Sequence, residues 1–160
     1  MSTGPRRGVT RGYVGALILA AVIVAVALLV AVWGGLTLAL ERMPVATPAV
    51  PVWAAPLVLL LALGLLAAAM WAQALTLLRG RRTPAWGQLI AVAAGAYLLW
   101  GLAGSLAGMH LDDTWLSPFA ITLAAIWLLA QLLFWAVLAR RVYTDRPPPR
   151  WPWERTEDEE

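Results

Sequence analysis

Four long apolar runs dominate the chain. No charged residue occurs from Gly12 to Leu40, from Met43 to Leu78, from Thr83 to Met109 or from Thr114 to Ala139. An α-helix needs about 20 apolar residues to cross the roughly 30 Å hydrocarbon core of a bilayer, and each run is longer than that. The pattern therefore predicts four transmembrane helices, near residues 13–40, 53–78, 86–106 and 115–138.

These spans define the expected fold, an all-α polytopic membrane protein built as a four-transmembrane-helix bundle of two helical hairpins. Residues 1–11 form a basic tail, residues 12–142 the bundle, and residues 143–160 a second tail. The basic start resembles the beginning of a signal peptide, but the first apolar run is about twice the usual length of a signal-peptide core, which favours a retained helix. Prolines space the connection at 44–51, which we expect to be extended.

Arginine clusters alternate with the apolar runs and predict the orientation. Three arginines lie in the N-terminal tail, three between the second and third runs, and five in the C-terminal tail. The other two connections contain only Arg42, next to Glu41, which suggests a local ion pair of little consequence. Because basic residues accumulate in cytoplasmic segments, we expect a multi-pass plasma-membrane protein with both termini in the cytoplasm.

The composition supports a membrane protein and excludes several kinds of chemistry. Hydrophobic residues make up 61% of the chain and charged residues 13%, against about a quarter charged in soluble proteins. The net charge of +3 lies in short clusters between apolar runs, so the expected surroundings are a lipid bilayer and not a nucleic acid. The absence of cysteine excludes disulfides, thiolate metal sites, iron–sulfur clusters and thiol nucleophiles.

Three glutamines are the main polar side chains predicted inside the spans. Gln73, Gln88 and Gln131 lie roughly 9–13 Å from the nearest basic end of their helices, at about 1.5 Å of rise per residue, so they could share one layer. An amide in hydrocarbon needs a hydrogen-bond partner. We interpret the layer as hydrogen bonds between helices; the alternative is a polar substrate site that opens inward.

Small residues mark the third span as a packing helix. Gly101, Gly104 and Gly108 lie near its end, and small residues recur at every fourth position earlier in the run. Such spacing allows helix backbones to approach closely in a membrane. We favour packing inside the bundle over an oligomer interface.

The third connection contains the ligand types of a metal or acid–base site. His110, Asp112 and Asp113 are too few for zinc, which usually takes three or four protein ligands, and we expect them to be merely solvated. A single histidine also argues against a haem held by two axial histidines. No nucleophile–base pair, metal cluster or phosphate loop is recognisable, so we expect no cofactor and no enzymatic activity.

The C-terminal tail is the least lipid-like part of the sequence. Its polyproline stretch and two following tryptophans make Pro148, Trp151 and Trp153 candidate contacts for a partner protein; the alternative is a soluble tail without a binding role. No ionisable residue lies in mid-span, which disfavours proton-coupled transport. We therefore expect a non-catalytic accessory or assembly subunit that contacts another membrane protein or a second copy. The alternative is an oligomeric transporter or channel for a small neutral or lipophilic molecule.

Overall fold

Four α-helices make up most of the structure. The computed structural model describes residues 11–79 and 83–143, with nothing stated of the side chains of Arg11 and Tyr143. The helices are α1 (Arg11–Leu40), α2 (Ala54–Leu78), α3 (Trp86–Leu106) and α4 (Pro118–Tyr143). The described ranges contain no strand. All four helices are long and apolar enough to cross a membrane, which confirms the all-helical prediction and supports a multi-pass membrane protein.

The bounds of α4 differ most from those expected. The helix begins at Pro118, three residues later than predicted, and continues to Tyr143, five residues further. Proline suits the first position of a helix because its φ angle is preset and its missing N–H would have no helical partner there. Trp115 consequently remains in the connection, where Leu116 N–H donates to the Leu111 carbonyl at 3.1 Å.

Consecutive helices are antiparallel, so α2 and α4 run in the same direction. Both α1 and α3 pack against α2 and α4, and α2 and α4 also contact each other. The helices α1 and α3 therefore lie on opposite sides of the α2–α4 pair. We call the end that contains connections 41–53 and 107–117 the Asp113 end, and the opposite end, with Arg79, Arg140 and Arg141, the arginine end.

Large aromatic side chains fill the bundle between the helices. Near the Asp113 end, the ring of Trp33 makes edge-to-face contacts with Trp100 at 5.2 Å and Phe119 at 5.7 Å between centroids. Edge-to-face geometry places the positive edge of one ring against the negative face of another. This aromatic cluster joins side chains of α1, α3 and α4 across the interior.

Both helices that end at the Asp113 end stop at a residue with positive φ. After α1, Glu41 has φ +49°. After α3, Gly108 has φ +77°, its N–H donates to the Ser105 carbonyl at 3.2 Å, and Met109 N–H donates to the Gly104 carbonyl at 2.9 Å. This pair of bonds is a Schellman motif, in which a left-handed glycine ends the helix.

The connection at 41–53 is more folded than its prolines predict. Val50 N–H donates to the Thr47 carbonyl at 3.3 Å, and Ala54 N–H donates to the Pro51 carbonyl at 2.9 Å. These bonds form turns in the second half of the connection, which is therefore not extended, whereas residues 45–47 form no turn. Thr47 lies against the other connection at the same end of the bundle.

Candidate functional site

A buried carboxylate joins the two connections of the Asp113 end. Asp113 is 2% exposed. Its Oδ1 accepts a hydrogen bond from Arg42 Nη2 at 2.7 Å, and its Oδ2 accepts from Thr47 Oγ1 at 2.8 Å and from Ala46 N–H at 3.1 Å. Thr47 Oγ1 in turn accepts a longer bond from His110 N–H at 3.3 Å. The carboxylate is thus held by three donors from the connection between α1 and α2.

Two expectations for this region were wrong. Arg42 pairs with Asp113, 71 residues away, instead of with its neighbour Glu41. Asp113 is buried instead of solvated, while Asp112 and His110 are exposed. The physical reason is that the arginine and two further donors offset the cost of removing this carboxylate from water, whereas Asp112 is exposed.

The same donors determine the ionisation of Asp113. Burial acts to raise the pKa of this carboxyl group, but the hydrogen bonds from Arg42, Thr47 and Ala46 and the positive charge of Arg42 outweigh it. The pKa therefore lies below the ordinary value for aspartate, and the group is ionised at neutral pH. At neutral pH it therefore serves only as a hydrogen-bond acceptor.

The connection at 107–117 packs against α3 through two glycines. A Cβ atom at Gly101 would lie 2.8 Å from the Trp115 ring, and one at Gly104 would lie 2.5 Å from Thr114 Cγ2. Both glycines therefore contact the connection and not a neighbouring helix, and Gly108 forms the turn that ends α3. The predicted close packing takes place inside the molecule, but its partner is a non-helical segment that sequence spacing does not indicate.

Side chains of α3 hold this connection by its carbonyl groups. Trp100 Nε1 donates to the Asp113 carbonyl at 3.1 Å, and the Tyr97 hydroxyl donates to the Trp115 carbonyl. Trp115 Nε1 donates to Ser105 Oγ at 3.1 Å. Together with the Arg42–Asp113 pair, these bonds close the Asp113 end with ordered polar groups.

The three predicted glutamines have different surroundings. Gln88 Nε2 donates to the Ala69 carbonyl at 2.8 Å and so joins α3 to α2. Gln131 is 0% exposed, and its Nε2 donates to the carbonyl of Trp127 in its own helix at 3.2 Å. Gln73 is 2% exposed, and neither its oxygen nor its nitrogen has a hydrogen-bond partner; the same is true of Gln131 Oε1. No hydrogen bond therefore joins any two of the three glutamines.

The register between α2 and α4 shows where the two buried amides lie. Trp127 Nε1 donates to the Ala62 carbonyl at 2.9 Å. Gln131 follows Trp127 by four residues in α4, and Gln73 follows Ala62 by eleven in the parallel helix α2. At about 1.5 Å of rise per residue, and allowing for the reach of the indole, Gln73 lies roughly 5–10 Å closer to the arginine end. The two buried amides thus lie about one to two helical turns apart along the bundle.

The described residues contain no group of three or more His, Cys, Asp or Glu side chains able to hold a metal ion. The candidate partner contacts Pro148, Trp151 and Trp153 lie outside the described residues. What the sequence did not indicate is the use of indole N–H groups as ties: Trp33, Trp100 and Trp127 each donate to a main-chain carbonyl of another segment. The sequence feature that could have predicted these bonds is a tryptophan deep within a span, far from the membrane–water interface, where its N–H needs an acceptor in the protein.

Comparison with known proteins finds no matching family model, no matching curated protein and no matching solved structure.

Proposed function

We propose that the chain is a non-catalytic integral membrane subunit that acts by associating with another membrane protein. The observation that carries this proposal is the contrast between the Asp113 end and α1. At the Asp113 end the carboxylate of Asp113 and the side chains of Arg42, Thr47 and Trp100 bond to one another or to the main chain of the connections. Of the four candidate spans, α1 is the least covered by the rest of the bundle.

The open face of α1 is suited to contact with another helix. It includes Gly34 and Gly35, where an added Cβ would meet no atom within 4 Å. Ala27 and Ala31 are exposed at the same helical spacing. Small residues at four-residue intervals favour helix association in lipid because backbones can approach closely. The exposed face of α2 has a similar series, Gly64, Ala68 and Ala72, among its leucines, so the choice of α1 rests on its smaller coverage by the rest of the bundle.

Cross-linking in native membranes tests the proposal, and the absence of cysteine gives a clean background. Single variants Ala27→Cys and Ala31→Cys on α1 are compared with Ala68→Cys, which is exposed on α2. We expect a stoichiometric protein partner to co-purify in mild detergent and to cross-link through α1 but not through α2. A chain that purifies alone, with equal cross-linking from both helices, would contradict the proposal.

A second candidate is a small transporter or channel for a neutral or lipophilic molecule, formed by an oligomer of this chain. The buried amides of Gln73 and Gln131 favour it, because polar groups inside membrane bundles commonly belong to substrate pathways. A homo-oligomer that retains a small molecule through purification, without another protein, would support this candidate over the accessory role.

A further inference from the structure

Buried polar atoms are unequally satisfied at the two ends of the bundle. At the Asp113 end, the carboxylate of Asp113 has three donors and the indole of Trp100 has an acceptor. In the half towards the arginine end, the two amide atoms of Gln73 and the oxygen of Gln131 have no partner in the protein. Within residues 11–79 and 83–143, the other buried side-chain atom without a partner is Ser117 Oγ, a single hydroxyl at the Asp113 end.

Neither lipid nor a neighbouring subunit can reach these amides. Both side chains are at most 2% exposed, on helices that contact each other. An amide removed from water without a new hydrogen bond is strongly unfavourable in an apolar interior. Two such groups on adjacent helices call for an occupant that forms the missing bonds.

We propose that Gln73 and Gln131 bind a small, neutral, hydrogen-bonding molecule between α2 and α4, in the half of the bundle towards the arginine end. The unpartnered atoms are two carbonyl oxygens, which accept, and one nitrogen, which donates. The occupant must therefore offer at least two donors and one acceptor, as water does and as a small amide does. This site does not depend on the accessory role proposed above.

The chemistry of the surroundings selects a neutral occupant. The buried residues within four positions of the two glutamines carry no polar side-chain atom except the indole N–H of Trp127, which is bonded to the Ala62 carbonyl: Ala69, Met70, Ala74, Leu77, Trp127, Ala130 and Phe134. No ionisable residue is present in either helix between Ala54 and Leu78 or between Pro118 and Ala139. An ion would lose its hydration there without gaining a counter-charge.

Exchange with solvent takes place from the arginine end. Gln73 precedes Arg79 by six residues, or about 9 Å along the helix. In the opposite direction the aromatic cluster of Trp33, Trp100 and Phe119 and the bonded carboxylate of Asp113 lie between the amides and the far surface. The arginine end is therefore the surface nearer to the two amides.

Nuclear magnetic resonance of the unmodified chain tests the site directly. The chain contains three glutamines and no asparagine, so ¹⁵N-glutamine labelling gives three side-chain amide groups. Any two of the variants Gln73→Leu, Gln88→Leu and Gln131→Leu assign all three. The indole N–H of Trp127, which is fully buried and bonded to Ala62, is the dry reference, identified through Trp127→Phe.

We expect cross-peaks between water and the side-chain amides of Gln73 and Gln131, and exchange in D₂O at least about tenfold faster than at the Trp127 indole. Titration with acetamide then separates the two sources: movement of both glutamine signals indicates a site that accepts a solute, and unchanged signals indicate water alone. Amide protons without water contact, protected as well as the Trp127 indole and unaffected by acetamide, would overturn the proposal. That result would leave the cross-linking test of the accessory role unaffected.

Discussion

The guanidinium group of Arg42 lies 2.7 Å from the carboxylate of Asp113, although 71 residues separate them in the chain. Arg42 follows the first helix, and Asp113 lies between the last two. The pair therefore joins the hairpin of α1 and α2 to the hairpin of α3 and α4. Because Thr47 and the Ala46 N–H bind the second carboxylate oxygen, the contact is a small network and not an isolated ion pair.

Removal of this carboxylate is expected to destabilise the bundle. Asp113→Ala leaves Arg42, Thr47 and the Ala46 N–H without their acceptor, and we expect a loss of about 2–3 kcal/mol in the free energy of unfolding. Thermal unfolding in a mild detergent measures the effect. The control is Asp112→Ala, which alters an exposed neighbour and should change stability by less than about 0.5 kcal/mol. Equal effects of the two variants would contradict a special role for Asp113.

The stability contributed by Asp113 is expected to depend on pH in the acidic range. Its pKa is lower in the folded protein than in the unfolded chain, so its contribution is complete above the unfolded value of about 4. The contribution is lost as the pH falls through the lower, folded value. Unfolding measured from pH 7 downwards should show this loss in the wild type and not in Asp113→Asn. Glu41, Asp112 and the other acids are present in both proteins, so the difference between their stabilities at each pH reports on Asp113 alone. Parallel curves of stability against pH would contradict the prediction.

Alanine in place of Gly101 or Gly104, the glycines against which the connection at 107–117 packs, should destabilise the fold. The new methyl group would meet the Trp115 ring in Gly101→Ala and Thr114 Cγ2 in Gly104→Ala, at distances that real Cβ atoms do not adopt. We expect a loss of about 1–3 kcal/mol for each, measured by thermal unfolding. Gly87→Ala in the same helix is the matched control, since its Cβ would meet nothing within 4 Å. Destabilisation by the control of the same size would refute the packing explanation.

Replacement by leucine should change the free energy of unfolding differently at Gln73 and at Gln88. Gln88→Leu removes the bond to the Ala69 carbonyl, for which an average membrane value is about 0.6 kcal/mol. Gln73→Leu removes an amide that has no protein partner, so stability should stay the same or rise. Unfolding of the two variants in one detergent gives the comparison. A larger loss for Gln73→Leu than for Gln88→Leu would mean that Gln73 contributes bonds of its own, to the protein or to the occupant proposed above.

The orientation proposed from the arginines can be measured with single cysteines. Ala49→Cys places a thiol in the exposed part of the connection at 41–53, and Arg79→Cys places one at the opposite end of α2. With the arginine end in the cytoplasm, an impermeant thiol reagent added to intact cells should label Ala49→Cys at once and Arg79→Cys only after permeabilisation. Labelling in the reverse order would place the start of α1 and the end of α4 outside the cell.

The positions of the helices could be predicted from the sequence because they depend on one energy, the cost of placing a charge inside the membrane. A charged residue in mid-span is costly, so the uncharged runs indicate α1, α2 and α3 within about two residues. The start of α4 was less predictable, since Trp115 and Leu116 are apolar enough to belong to the helix. A contact with Gly101 and the turn at Leu111 keep them outside it.

The long-range pair of Arg42 and Asp113 could not be predicted from the sequence, for a different reason. Local spacing indicates Glu41 as the partner of Arg42, and only the packing of two hairpins brings the distant carboxylate closer. The three glutamines show the same limit. Their presence inside the bundle was predictable from the apolar runs, but which of them bonds to a neighbouring helix depends on helix rotation, which an almost uniformly apolar sequence does not encode.

The order of synthesis gives the Arg42–Asp113 pair a particular timing. Chains are made and inserted from the N-terminus, so α1 and α2 are complete before Asp113 leaves the ribosome. Until then Arg42, Thr47 and the Ala46 N–H lack the acceptor that they share in the finished protein. The pair therefore forms only when the second hairpin has been made and has docked against the first, which makes its formation a late step of biogenesis and a marker of a completely assembled chain.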